Sequence, residues 1–85
     1  MASYKIEIKK SAQRELRKLP KQDLKRIVAK IQLLAESPRG PDSKKLTSQE
    51  RYRLRVGQYR ILYEIHDEIL VVTVVRVANR KNAYR

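Results

Sequence analysis

At the start of the chain Tyr4, Ile6 and Ile8 alternate with Lys5, Glu7 and Lys9, the period of two that marks a strand buried on one side. Ser11 follows as a side-chain N-cap, and Ala12, Leu16 and Leu19 then recur at helical spacing as far as Pro20. Beyond the proline, Leu24, Ile27, Val28, Ile31 and Leu34 form the apolar stripe of a second amphipathic helix. That helix has to stop by Ser37, because a residue preceding proline is pushed out of the helical region. The two segments predict a helical hairpin. Ser37-Pro38-Arg39-Gly40-Pro41-Asp42-Ser43 is a loop rather than a domain linker.

The second half of the chain returns to strand periodicity. Arg51 to Val56, Tyr59 to Ile65 and Ile69 to Val77 are separated by Gly57-Gln58 and by His66-Asp67-Glu68, which predicts a β-meander. If Gly57-Gln58 is a two-residue type II′ turn with positive φ at Gly57, Val56 pairs with Tyr59, Leu54 with Ile61 and Tyr52 with Tyr63. All six are apolar or aromatic and share one face. The same register sets Arg55 against Arg60, Arg53 against Leu62 and Arg51 against Glu64 on the other face. The expected architecture is α+β: an N-terminal strand, a two-helix hairpin and a three-stranded antiparallel meander, with the helices on one sheet face and the other face open. Residues 1–85 are read as one domain.

Charge changes this picture from fold towards partner. The chain has 21 Lys+Arg against 9 Asp+Glu in 85 residues, a formal charge of +12. Self-repulsion on that scale destabilises the compact state, so a compensating polyanion is expected, with RNA the first choice and an acidic protein or anionic lipid behind it. A membrane-surface helix would use Trp or Phe anchors, and the chain has neither. Its longest nearly apolar run, Ile69 to Val75, falls far short of the roughly 20 residues that span a bilayer. The N-terminus has no apolar core of a signal peptide, so the protein is read as cytoplasmic. Without cysteine and with a single histidine, His66, neither thiol chemistry nor a zinc site is expected, and no cofactor is assigned.

The candidate chemistry lies in the arginines. Two arginines directly opposite on neighbouring strands repel by tenths of a kcal/mol up to about 1. One explanation is a solvated face whose Arg51, Arg53 and Arg55 protect an edge strand; the other is a guanidinium cluster that holds phosphate in forked contacts. No acid interleaves Arg53, Arg55 and Arg60, which favours the second, and Glu64 balances only Arg51. Lys44 and Lys45 lie beside the hairpin as further phosphate contacts. The Lys and Arg of the helices form a solvated face, or one that meets RNA phosphates through charge alone. Tyr4, Tyr52, Tyr59 and Tyr63 fall on core positions, where packing rather than base stacking is expected. His66 sits in a predicted turn away from the arginines. The run Val77 to Arg85 adds Arg80, Lys81, Tyr84 and Arg85 after the last strand.

From its strand-helix-helix opening through Lys45-Leu46 and Tyr52-Arg53-Leu54-Arg55-Val56-Gly57-Gln58-Tyr59-Arg60-Ile61-Leu62-Tyr63 to Arg80-Lys81-Asn82-Ala83-Tyr84-Arg85, the chain resembles the RelE/ParE superfamily of toxin–antitoxin toxins, and within it the RelE-like messenger-RNA endonucleases. The resemblance implies metal-independent cleavage of mRNA in the ribosomal A site, with Arg53, Arg55, Arg60, Arg80 and Tyr84 as catalytic residues. Tyr84 would activate the ribose 2′-hydroxyl, and Arg80 would protonate or neutralise the leaving oxygen. Lys44, Lys45, Arg51, Lys81 and Arg85 would bind RNA, including 16S ribosomal RNA. Asn79 stands where many relatives carry histidine, and Arg53 and Arg55 stand where lysine is common. The implied partners are mRNA on the ribosome and a cognate acidic antitoxin, which would cover apolar surface around Leu70, Val72 and Val74. The alternative is a ParE-like DNA gyrase inhibitor on the same fold without a nuclease site.

Overall fold

A computed structural model describes residues 3–40, 43–46 and 51–79. The elements run β1 (Lys5–Ile8), α1 (Lys10–Arg17), α2 (Lys21–Leu33), β2 (Ser43–Lys45), β3 (Arg51–Val56), β4 (Tyr59–His66) and β5 (Val71–Asn79). The strands form a sheet in the order β1-β5-β4-β3-β2, with β1 parallel to β5 and the other pairs antiparallel. The hairpin register is the one the alternation implies: Val56 opposite Tyr59, Leu54 opposite Ile61, Tyr52 opposite Tyr63 and Arg55 opposite Arg60. Gly57 has φ +58° while Gln58 stays negative, as a type II′ turn requires.

The apolar stripes of both helices close on one sheet face. Ala12 and Leu16 from α1 and Ile27, Ile31 and Leu34 from the α2 region join Leu54, Val56, Ile61, Tyr63, Val72, Val74 and Val77 in one core. Pro20, in extended geometry, is the N-cap of α2 and separates it from α1. The Tyr63 hydroxyl, although wholly buried, donates to the Pro38 carbonyl at 2.6 Å and holds the loop after α2 against the sheet. Arg39 of that loop forms a two-pronged pair with Asp67, and its Nε donates to the Tyr52 hydroxyl. Tyr4 also donates to Asp67 at 2.7 Å.

Several expectations are corrected here. Ser11 is not an N-cap: α1 begins at Lys10, with Lys9 in the capping position and no side-chain cap. The chain leaves β1 with one intervening residue, so the Ser11 hydroxyl is already inside the helix and donates to the Val75 carbonyl at 3.1 Å. The last strand begins at Val71 rather than Ile69, because Leu70 takes φ +53° in a turn, a conformation that stops ladder pairing. His66 is the last residue of β4, paired with Val71, rather than a turn residue. Ser43 opens a short edge strand rather than closing a loop. Val72 and Val74 are core residues, so they offer no surface to a partner; the exposed large apolar side chains among the described residues are Leu33, Ile69 and Leu70.

One irregularity interrupts β5. Tyr63 faces Val74 and Leu62 faces Arg76, leaving Val75 as an extra residue between them, a β-bulge. This segment also lacks β1, whose pairing with β5 stops at Val74. Helix α1 takes over that edge: Lys9 N–H donates to Val74 O, Ser11 to Val75 O, and Glu15 Oε1 accepts the Val77 N–H at 2.8 Å. The exposed ladder groups of a sheet edge are thereby satisfied by a helix.

Candidate functional site

Alternation along β3 and β4 sends Arg51, Arg53 and Arg55 and their partners Glu64, Leu62 and Arg60 to the face opposite the helices. Arg55 is exposed, whereas Arg53 and Arg60 are half-buried. The Arg60 Nε is itself buried, so that guanidinium is partly enclosed. Neither the Arg53 nor the Arg55 side chain has a hydrogen bond or ion pair with another described residue. Arg51 is different: its Nε meets Glu64 Oε2 at 3.3 Å, and the other oxygen of Glu64 lies 3.3 Å from His66 Nε2. Among the side chains of β3 and β4 on this face, negative charge is thus confined to the Arg51 end, and the Gly57 end is cationic.

The register divides the two lysines. Lys44 lies opposite Arg53 and joins the arginine face, while Lys45 lies opposite Tyr52 and shares the helix-side register. The strand that follows the cluster, β5, ends with Ala78 opposite Arg60 and Asn79 opposite Tyr59, beside the Arg55–Arg60 pair. Arg80, Lys81, Tyr84 and Arg85 lie outside the described residues. Arg76 is a cation that sequence reasoning missed. It pairs across from Leu62 and so stands on the arginine face. The signal for it was the doubled pattern Val71-Val72-Thr73-Val74-Val75-Arg76-Val77, in which strict alternation fails.

Tyr4, Tyr59 and Tyr63 are unsuited to proton abstraction. Burial pushes the Tyr63 hydroxyl up. Burial, reinforced by donation to Asp23 at 3.0 Å, does the same to Tyr59, and donation to Asp67 raises Tyr4. Among the described residues no group of three His, Cys, Asp or Glu side chains converges as a metal site, and no helix is long and apolar enough to cross a membrane. An apolar recess of about 300 Å³ lies between Leu33, Leu34 and Leu54, on the helix side. Among the described residues the helices cover only the other sheet face, which leaves the arginine face a shape suited to an extended polyanion rather than an enclosed small molecule.

Residues 6–84 match the family model described as ParE toxin of the type II toxin–antitoxin system parDE. The chain is 29% identical over 86 residues to the putative toxin RelE1 of Methanocaldococcus jannaschii, covering 96% of each protein. Its fold superposes with TM-score 0.85 on a chain of the Mycobacterium tuberculosis toxin–antitoxin complex RelBE2, at 32% identity over 96% of this chain and 97% of the other. It matches the isolated Escherichia coli RelE toxin with TM-score 0.80, at 28% identity over 91% of this chain and 84% of that one.

Proposed function

This chain belongs to the RelE/ParE superfamily of type II toxin–antitoxin toxins, in its RelE-like branch, and from that premise we propose that it is a ribosome-dependent endoribonuclease that cleaves mRNA in the A site and so inhibits translation in the cytoplasm. The observation that carries the reading is the acid-free Arg53–Arg55–Arg60 cluster at the sheet end where β5 terminates. Forked guanidinium donors match the oxygens of a phosphodiester. They stabilise the charge that builds on phosphorus substituents when a ribose 2′-oxygen attacks.

In this mechanism the 2′-oxygen bonds to the adjacent phosphorus and the P–O5′ bond breaks, leaving a 2′,3′-cyclic phosphate and a 5′-hydroxyl. Tyr84 takes the 2′ proton, and Arg80 stabilises or protonates the departing 5′-oxygen. A tyrosine near pKa 10 is a weak base at neutral pH, and neighbouring arginine charges favour its phenolate. Weak acid–base groups make the enzyme depend on substrate orientation, which the ribosome supplies. Lys44, Arg51, Lys81 and Arg85 contribute RNA contacts. Lys45, turned to the other side, is reserved for ribosomal RNA. The cognate partner is an acidic antitoxin; related RelE toxins are solved in complexes with an antitoxin, RelB.

Purified protein added to a translating extract should generate new 5′ ends within codons at the A site. Tyr84→Phe and Arg80→Ala should each reduce that cleavage by roughly 10²-fold or more. Full activity in both variants would sink the nuclease assignment. The family model carries the ParE name, so the alternative is gyrase inhibition. Blocked supercoiling with ribosome-bound mRNA left intact would establish it instead.

A further inference from the structure

We propose that Arg76 is an additional RNA-phosphate contact of the arginine face, turned onto that face by the β5 bulge that α1 pins through Ser11 and Glu15. The inference rests on the reading of this face as an RNA surface, and it begins from register. Along β4, Ile61 and Tyr63 point into the core while Arg60, Leu62 and Glu64 point away from it. Were β5 regular beyond Val74, Val75 would face Leu62, Arg76 would face the fully buried Ile61, and Val77 would face Arg60. A slip of one residue flips every side chain. That arrangement would drive a guanidinium into the core without a partner, which desolvation strongly opposes. The extra residue Val75 restores the sense: Arg76 faces Leu62 and Val77 faces Ile61, with Val77 only 3% exposed.

The result is a cross-strand row, Lys44, Arg53, Leu62 and Arg76. With strands about 4.8 Å apart, Arg76 stands about 10 Å from Arg53 across Leu62. Two flexible guanidinium heads at that spacing can hold phosphates of one strand. The Glu15 contact does not consume Arg76. The shorter bond of Glu15 goes to the Val77 N–H at 2.8 Å, and its other oxygen reaches a single nitrogen of Arg76 at 3.4 Å. The Arg76 side chain remains 58% exposed, and a guanidinium has five N–H donors. Glu15 is therefore a positioning residue that fixes the bulge and the direction of Arg76, and Ser11 holds the carbonyl of the extra residue.

The test is affinity of the full-length protein for a short 2′-O-methyl oligoribonucleotide, which 2′-oxygen attack cannot cleave, measured from roughly 50 to 200 mM salt. Removing one phosphate contact from a single strand lowers the log K versus log salt slope by about 0.7 and weakens binding severalfold. Arg76→Gln and Arg53→Gln should each show that change, while Lys25→Gln, on the exposed side of α2, should not. Glu15→Ala should reproduce the Arg76→Gln slope. Glu15→Gln, which keeps an acceptor for Val77, should restore the original slope. An unaltered slope in Arg76→Gln beside a lowered one in Arg53→Gln overturns the proposal and leaves the RNA face standing. Equal losses in Lys25→Gln and Arg76→Gln also overturn it, since binding is then spread over the whole surface. Unaltered slopes in Arg53→Gln, Arg55→Gln and Arg76→Gln alike overturn the RNA reading itself.

Discussion

Tyr63 is the clearest case of one side chain with two consequences. Its ring fills the centre of the core at 0% exposure, and its hydroxyl satisfies the Pro38 carbonyl. Tyr63→Phe keeps the packing but strands that carbonyl, and should cost about 1–2 kcal/mol in urea unfolding. Burial raises the Tyr63 pKa above its ordinary 10.0. A raised folded-state pKa means stability that is complete below pH 10 and is lost as pH climbs through the folded value. Alkaline unfolding of the native protein should therefore be steeper than that of Tyr63→Phe. Gly57 is constrained differently: a side chain there would sit at φ +58°, with its Cβ 2.6 Å from Arg26 Nη2. The Arg26 head can swing aside, so Gly57→Ala should cost about 1–2 kcal/mol, mainly from the left-handed backbone.

Between elements, the Arg39–Asp67 pair fastens the loop after α2 to the β4–β5 turn, and Tyr4 adds the start of β1. The Arg39 guanidinium, followed by the Tyr4 hydroxyl, holds the Asp67 carboxyl at about 2 instead of 3.8. A depressed carboxylate pKa contributes stability that is present above the unfolded value and disappears as pH falls through the folded one. Acid titration should show a loss between about pH 4 and pH 2 that Asp67→Asn lacks, measurable as a flatter Tm profile over that interval. The pair is surface-exposed, so high salt should shrink the difference. None of this fastening was legible in the sequence, because Arg39 and Asp67 are 28 residues apart and both lie in stretches that read only as turns. The β3–β4 register was legible to the residue, because a two-residue turn leaves alternation no freedom.

At the scale of the molecule, the excess of +12 makes association with any acidic partner salt-sensitive. A cognate acidic antitoxin should raise the toxin's Tm, by an amount equivalent to about 2.7 kcal/mol at a free concentration 100 times its Kd. Differential scanning calorimetry at several antitoxin concentrations checks this. No complex and no loss of toxicity on titration with the adjacent-gene product would remove that partner. The surface left for it differs in part from the one the sequence suggested, since of Leu70, Val72 and Val74 only Leu70 is exposed. Val72 and Val74 are enclosed by α1, α2 and the sheet, whereas Leu33, Ile69 and Leu70 are exposed.

The sequence by itself determined what short-range periodicity controls: an opening strand, two amphipathic helices separated at Pro20, the Gly57 hairpin and the facing of Arg53, Arg55 and Arg60. These follow from alternation, proline geometry and positive φ, which act over a few residues. The tertiary structure decided everything that joins distant segments. It made β1 parallel to β5, added β2 at the edge so that Lys44 lies beside Arg53, and used α1 to satisfy the edge of β5 where β1 ends. It also decided the facing of Arg76. A run of valines with one arginine carries no fixed phase, and only a core that rejects an unpaired charge, with a helix ready to bond the bulged backbone, selects the register that brings Arg76 to the face of Arg53.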